Sequence, residues 1–179
     1  TRYSKLVVWQ TQFQFRDVGD TPRSMPTSML RHDLEDHFTV REEERQKFQE
    51  LVNETLVEEL ERSKMFEVVD TPGPGTLILN PMMADIVSNV PPQTTGLVDV
   101  YLSAVGEATI FFELIDAETG VILARAGERR RIQPPDRLYE VSRLPANSAT
   151  IWADVKKWSA DVGRDLRVAQ PLLDAEHDD

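Results

Sequence analysis

Cysteine is absent from the 179 residues, which excludes disulfides, thiol catalysis, iron–sulfur ligation and cysteine-based zinc sites. Histidine is scarce: of three copies one lies in the C-terminal DAEHDD, so general bases are few. No apolar run approaches the roughly 20 residues that cross a bilayer as a helix. The first residues, TRYSKLVVW, lack the charged-then-apolar plan of a signal peptide. There is no G-x-S-x-G elbow and no phosphate-cradling glycine loop. TPGPG (71–75) matches the latter only in glycine count, because its prolines lack donors and the strand-like TLILN follows it. Positive charge is also in deficit. The 20 Lys and Arg against 31 Asp and Glu give a formal charge of −11, which repels nucleic-acid phosphates and anionic head groups. These absences predict no nucleic-acid partner, no metal and no cofactor.

What is present suits one domain. A chain of this length buries roughly 70% of its unfolded surface and needs no staple. The expectation is a single domain over residues 1–170 and an acidic tail over 171–179.

KLVVWQTQFQF (5–15) alternates, with Val7, Trp9, Thr11, Phe13 and Phe15 on one face and Gln10, Gln12 and Gln14 on the other, which predicts a strand. Residues 17–38 lose regularity around Gly19, Pro22 and Pro26, although MLRHDLEDHF has the makings of a short helix. Thr39 and Glu42 in TVRE have capping-box spacing and open a helix. Its stripe is Phe48, Leu51, Val52, Leu56 and Leu60, with acids in the first turn and Arg62 and Lys64 in the last. Extended runs follow in MFEVVD and TLILNPMMADIVSNV, where Pro81 removes a ladder donor and predicts an edge or bulged strand. PPQTTG reads as a loop. Two long strands then meet at a turn in FFELIDAETGVILARAGERRR (111–131), and Gly106 is placed to bend the first. QPPDRLYEVSRLPANS is irregular, and Asn147 or Ser148 caps a last helix whose stripe is Ile151, Val155, Trp158, Val162 and Leu166, with Pro171 ending it. The order predicts an α+β domain, a mostly antiparallel sheet of about five strands with two amphipathic helices packed on one face.

Few constellations suggest chemistry. HDLEDHF gathers His32, Asp33, Glu35, Asp36 and His37, types that ligate divalent ions. Five residues of helix rotate the second imidazole by about 140° from the first, so the H-E-x-x-H geometry is not met and a solvated acidic loop is expected. Glu42, Glu43 and Glu44 favour a helix dipole and lie in water. Catalysis by a carboxylate needs burial to shift its pKa, and only Asp85 and Glu113 lie within apolar runs. In 111–131 the turn residues AET, with Gly120 free to take a left-handed position, predict a three-residue hairpin with a glycine bulge, Asp116 and Thr119 bonding local N–H groups. Arg125, Arg129 and Arg131 share one strand face and Arg130 the other. The three are the candidate ligand-binding residues, for a carboxylate or phosphate. In so acidic a chain, pairing with Asp or Glu across the sheet is the expectation.

The order of pieces carries a resemblance. A helix runs into a phenylalanine-then-valines strand (LVEELERSKMFEVVD), a strand ends in Asp-x-x-Thr-Gly with Leu-Ala-Arg after it, and a tryptophan-bearing helix closes the chain (IWADVKKWSADVGRDL). Together, over roughly residues 3–168, these resemble the domain-of-unknown-function family 3313 of bacterial lipoproteins. The resemblance implies an exported protein whose signal peptide is cleaved before a lipid-carrying cysteine upstream of Thr1. It supplies no catalytic residues. The expected function is therefore that of a non-enzymatic envelope lipoprotein. It would lie on the periplasmic side, outer-membrane anchored, touching the membrane only through its lipid, and would partner an envelope protein or cell-wall component. Binding of a small anionic ligand or glycan by the arginine face is the alternative. A cell-wall or lipid hydrolase would require a deep pocket holding Asp85 or Glu113.

Overall fold

The computed structural model describes residues 2–18, 38–89, 101–102, 105–132, 144–145 and 148–175. In chain order the elements are β1 (Lys5–Val8), β2 (Gln12–Phe15), α1 (Glu42–Ser63), β3 (Glu67–Val68), β4 (Thr76–Ser88), β5 (Tyr101–Leu102), β6 (Gly106–Asp116), β7 (Ile122–Ile132), β8 (Leu144–Pro145) and α2 (Ser148–Ala175). Six strands form one sheet ordered β3-β1-β4-β6-β7, with β2 beside β1 on the same flank of β4, while β5 and β8 pair separately. The fold is α+β with two helices, but the sheet is mixed. The β4–β6 and β6–β7 pairs are antiparallel, whereas β1–β3, β1–β4 and β2–β4 run parallel. The reason is that α1 crosses over between β2 and β3 and returns the chain in its original direction, the connection parallel strands require. Among the described residues no helix is long and apolar enough to cross a membrane.

The predicted first strand is two. Val8 pairs with Leu79 and Gln12 with Met82, so this flank has one residue more than β4 does across the gap. A one-residue bulge exchanges faces. Leu6 and Val8 pack into the core before it, Phe13 and Phe15 after it, and Trp9 is 46% exposed. Pro81 explains the position. Strand alternation turns its nitrogen to the same side as Leu79, whose carbonyl accepts from the Trp9 N–H, so the missing donor faces this break. Pro81 sits in a central strand rather than at an edge, and its neighbour accommodates the defect. Thr11 is pulled towards α1, its N–H donating to Asn53 Oδ1 at 2.9 Å.

α1 starts at Glu42 with Arg41 as N-cap, two positions later than a box on Thr39 predicts. Glu44 sets the start because its carboxylate accepts both the Arg41 backbone N–H and its guanidinium, a bond that holds the Glu44 pKa below the usual range. The Thr39 hydroxyl donates to the Val18 carbonyl instead. The predicted stripes are the buried ones: Val52, Leu56 and Leu60 of α1, and Val155, Trp158, Val162 and Leu166 of α2, join one core with the strands. α2 runs through Pro171 to Ala175. Proline costs an N–H and crowds the carbonyl four residues back. Here the next turn is held by Leu173, which is buried in the core. The proposed short helix, HDLEDHF up to His37, the PPQTTG loop and Asn147 lie outside the described residues.

The 111–131 hairpin has the predicted chemistry and one partner more. Gly120 takes φ +70°. Asp116 Oδ1 accepts the N–H groups of Glu118 and Thr119, and Thr119 Oγ1 accepts that of Val121. The second oxygen, Oδ2, accepts the Tyr3 hydroxyl at 2.8 Å and the Arg2 guanidinium at 3.0 Å, so the turn also clamps the start of the chain. Burial alone would raise the Asp116 pKa, but the Tyr3 bond, the two N–H groups and Arg2 outweigh it and the net shift is downward. Burial and the bond to Asp116 push Tyr3 up to about 12.

Because the folded pKa of Asp116 is depressed, its stabilisation is present above the unfolded value near 3.9 and is lost as pH falls through the folded one. Asp116→Asn should lower stability at pH 7 by about 1–3 kcal/mol, with a deficit that shrinks below roughly pH 4. Urea midpoints of both proteins across pH measure this, and a deficit independent of pH would refute it. A second prediction concerns Thr11, whose buried hydroxyl has no partner. Thr11→Val should raise stability by about 1 kcal/mol, or Tm by roughly 2–4 °C.

Candidate functional site

The two helices run parallel over the sheet. They are close at one end: a Cβ on Gly163 would lie 3.7 Å from the Ser63 Cβ, and the Arg167 guanidinium donates to the Ser63 carbonyl, capping the end of α1. Their N-terminal halves diverge, and between them and the sheet lies a cavity of about 500 Å³. That is within the range of about 300–1,000 Å³ usual for small-molecule pockets. Its helical walls are Phe48 and Leu51 of α1 and Ile151, Val155 and Trp158 of α2. Its floor is the end of the sheet: Met83, Ile86 and Val87 of β4, Ala108 and Ile110 of β6, and Ile132 of β7. Trp158 is fixed by stacking on Phe112, ring centroids 5.7 Å apart, and Phe48 by edge contacts to Phe13 and Phe15.

The charged lining groups are Arg41, Glu44, Lys47, Glu107, Arg130 and Asp154. Arg41 and Glu44 pair with each other. Arg130 faces the helices and binds Asp154 and Asp161 of α2 and Glu128 of its own strand. Burial works to lower its pKa, but Asp154 foremost and Glu128 raise it overall. Glu107 is held by Arg129 at 2.6 Å and Arg131 at 3.2 Å on the opposite sheet face.

That opposite face answers the arginine question. Arg125 pairs with Glu113, whose pKa is lowered by this bond and by one from Asn80. Arg129 and Arg131 meet Glu107, and Arg16 at the end of β2 forks onto Asp85 through Nε and Nη2. All three candidate arginines are thus engaged by carboxylates of their own sheet. Asp85 is a bulge residue, with φ +57°, where β4 slips by one residue against both β2 and β6. The slip puts Ile86 instead of Asp85 towards the core. Neither Asp85 nor Glu113 lines the cavity. Next to the arginines Phe111, 42% exposed, lies over Gly127, where a Cβ would come within 2.8 Å of its ring. Glu42, Glu43 and Glu44 are exposed on the first turn of α1. His32, Asp33, Glu35, Asp36 and His37 lie outside the described residues; among those described, no group of three or more His, Asp and Glu is placed to hold a metal ion.

Sequence reasoning missed the cavity, since wall residues and core residues obey the same periodicity. The one local signal is Gly163, a small residue within the α2 stripe that allows the helices to touch at one end only. The arginines differ in weight. Arg130→Leu should cost about 1–3 kcal/mol by leaving the acids of α2 without their partner, whereas Arg125→Ala, at an exposed pair, should cost less than about 1 kcal/mol. Denaturant midpoints compare them, and equal costs would refute the ranking.

Comparison with known proteins places the chain without giving it an activity. No curated protein matches it. Similar solved structures include protein XCC0632 from Xanthomonas campestris, at 11% identity and TM-score 0.44 over 93% of this chain and 82% of that one. A PelC dodecamer from Paraburkholderia phytofirmans is 15% identical, with TM-score 0.42 over 90% and 86%. A protein from Helicobacter pylori described as a neuraminyllactose-binding hemagglutinin homologue is 10% identical, with TM-score 0.42 over 94% and 82%. At these values the likenesses bear on neither ligand nor partner. The family model for Protein of unknown function (DUF3313) matches residues 1–144, most of the chain, and the chain belongs to that family.

Proposed function

We propose that this chain is a non-enzymatic binding domain of the bacterial cell envelope, held to the outer membrane on its periplasmic side by a lipid upstream of Thr1, and that it captures an apolar envelope component in the cavity between its helices. The observation that carries the binding half is the cavity itself, apolar on floor and walls, with charges gathered at its edge. The non-enzymatic half is supported by the state of those charges. Glu44, Arg130 and Asp154 are closed into ion pairs, which suits them to fixing a rim more than to moving protons. The envelope half rests on the resemblance to bacterial lipoproteins.

Geometry adds an orientation. Arg2 and Tyr3 are bound at the turn end of the sheet, whereas the cavity lies at the end where β4 finishes. Thirteen residues of β4 separate these ends by about 40 Å.

Two measurements test the halves separately. The full-length protein expressed in a bacterial host should incorporate labelled palmitate, and an unlabelled product defeats the anchor. The purified domain should bind the neutral apolar dye N-phenyl-1-naphthylamine saturably at one site. Ala108→Phe, which fills the cavity at a tolerable overpacking cost of about 1–3 kcal/mol, should abolish this while leaving circular dichroism unchanged. Equal binding by wild type and variant removes the cavity from the reading.

A further inference from the structure

The polarity of the cavity is divided in a way that specifies the ligand further. The apolar side chains that present area to it are the half-buried Phe48, Leu51, Ala108, Ile132 and Ile151, over a base of buried Met83, Ile110, Val155 and Trp158, with no charged group among them. A ligand that fills it must therefore be hydrocarbon inside. Arg41, Glu44 and Lys47 stand where α1 begins, Arg130 of β7 beside Asp154 in the second turn of α2, and they are not equivalent. Glu44 is bound by Arg41 and Asp154 by Arg130, so the rim acids carry their own counter-ions. Lys47 lies one turn beyond Glu44, exposed, on the same cavity-lining stripe of α1 as Arg41, so that stripe carries two cations, both acting on Glu44, to one acid. The first turn of α2, whose Ile151 lines the opposite wall, contains no acidic residue, so the positive end of that helix is not offset there.

From this distribution we propose that the cavity binds a single acyl chain with an anionic head group, the chain lying between the helices and the sheet and the head group beside Lys47. This rests on the binding reading above and adds the ligand class to it. Fatty acids and lysophospholipids share the required chemistry, a linear hydrocarbon and one negative charge. Apolar walls impose no demand on the interior of the ligand beyond apolarity, so affinity should follow chain length until the cavity is full.

The experiment is displacement of N-phenyl-1-naphthylamine from the purified domain by laurate, myristate and palmitate, by palmitoyl lysophosphatidylglycerol, and by neutral monopalmitoylglycerol. The anionic chains should displace the dye one for one. Each two carbons should tighten binding roughly tenfold, and the neutral glyceride should bind roughly tenfold more weakly than palmitate. Lys47→Glu, an exposed change, should weaken palmitate and the lysophospholipid by roughly tenfold more than it weakens the dye. Displacement by the carboxylates alone, or by the phosphodiester as well, identifies which source supplies the ligand, and either supports the assignment. Dye binding that no acyl chain displaces, or that the glyceride displaces as well as palmitate in wild type and Lys47→Glu alike, overturns the assignment and leaves the cavity reading standing. A domain that binds no dye overturns both.

Discussion

β4 is the constraint on which the molecule turns, because its 13 residues must serve neighbours on both flanks. A strand in that position has no freedom of register, since a one-residue slip sends every later side chain to the wrong face. It nevertheless contains two irregularities. Pro81 withholds a donor from the β1–β2 side, and that flank bulges there. Asp85 takes a left-handed conformation and adds a residue to β4 itself. The two slips are of opposite sense on the β1–β2 flank, so register with β1 at one end and with Phe15 at the other is the same. Asp85 is tolerated because an aspartate enters that region more readily than a branched residue and because Arg16 holds its carboxylate at both oxygens. Arg16, with Arg129 at 3.9 Å from the same carboxylate, thus reinforces a bulged strand.

What lies over the sheet follows from where two helices are allowed to meet. Gly163 against Ser63 brings them together at one end, and at the other Phe48, Leu51, Ile151 and Trp158 line the space between them. Apolar side chains of the same periodicity make core at the near end and a cavity wall at the far end.

This is also why the fold was more legible than the site. Helix stripes are set by a period of 3.6, so Val52, Leu56 and Leu60, and Val155, Trp158 and Val162, were readable from spacing. The hairpin was readable because Asp116, Thr119 and Gly120 each have a local reason to be there. What local patterns do not contain is long-range pairing. The parallel half of the sheet depends on a crossover that passes through residues 16–63, the end of the first strand depends on a proline some seventy positions away, and the clamp of Asp116 on Arg2 and Tyr3 spans the chain. The late start of α1 is a smaller case: Thr39 has the right residue type for a cap, but Val18 takes its hydroxyl and Glu44 chooses the start.

The two ends of the sheet consequently have different energetics. At the turn end Tyr3, Leu77 and Asp116 are buried and bonded, with contacts on every side. At the cavity end Phe48, Leu51, Ala108 and Ile151, all half-buried, border about 500 Å³ that protein atoms do not fill, so part of their dispersion energy is forgone. A cavity of this kind is a standing cost to the folded state, and any occupant that fills it with hydrocarbon returns the missing contacts. Ligand binding and stability are then the same free energy measured two ways, since whatever binds the native state alone raises the stability of the whole cooperative unit.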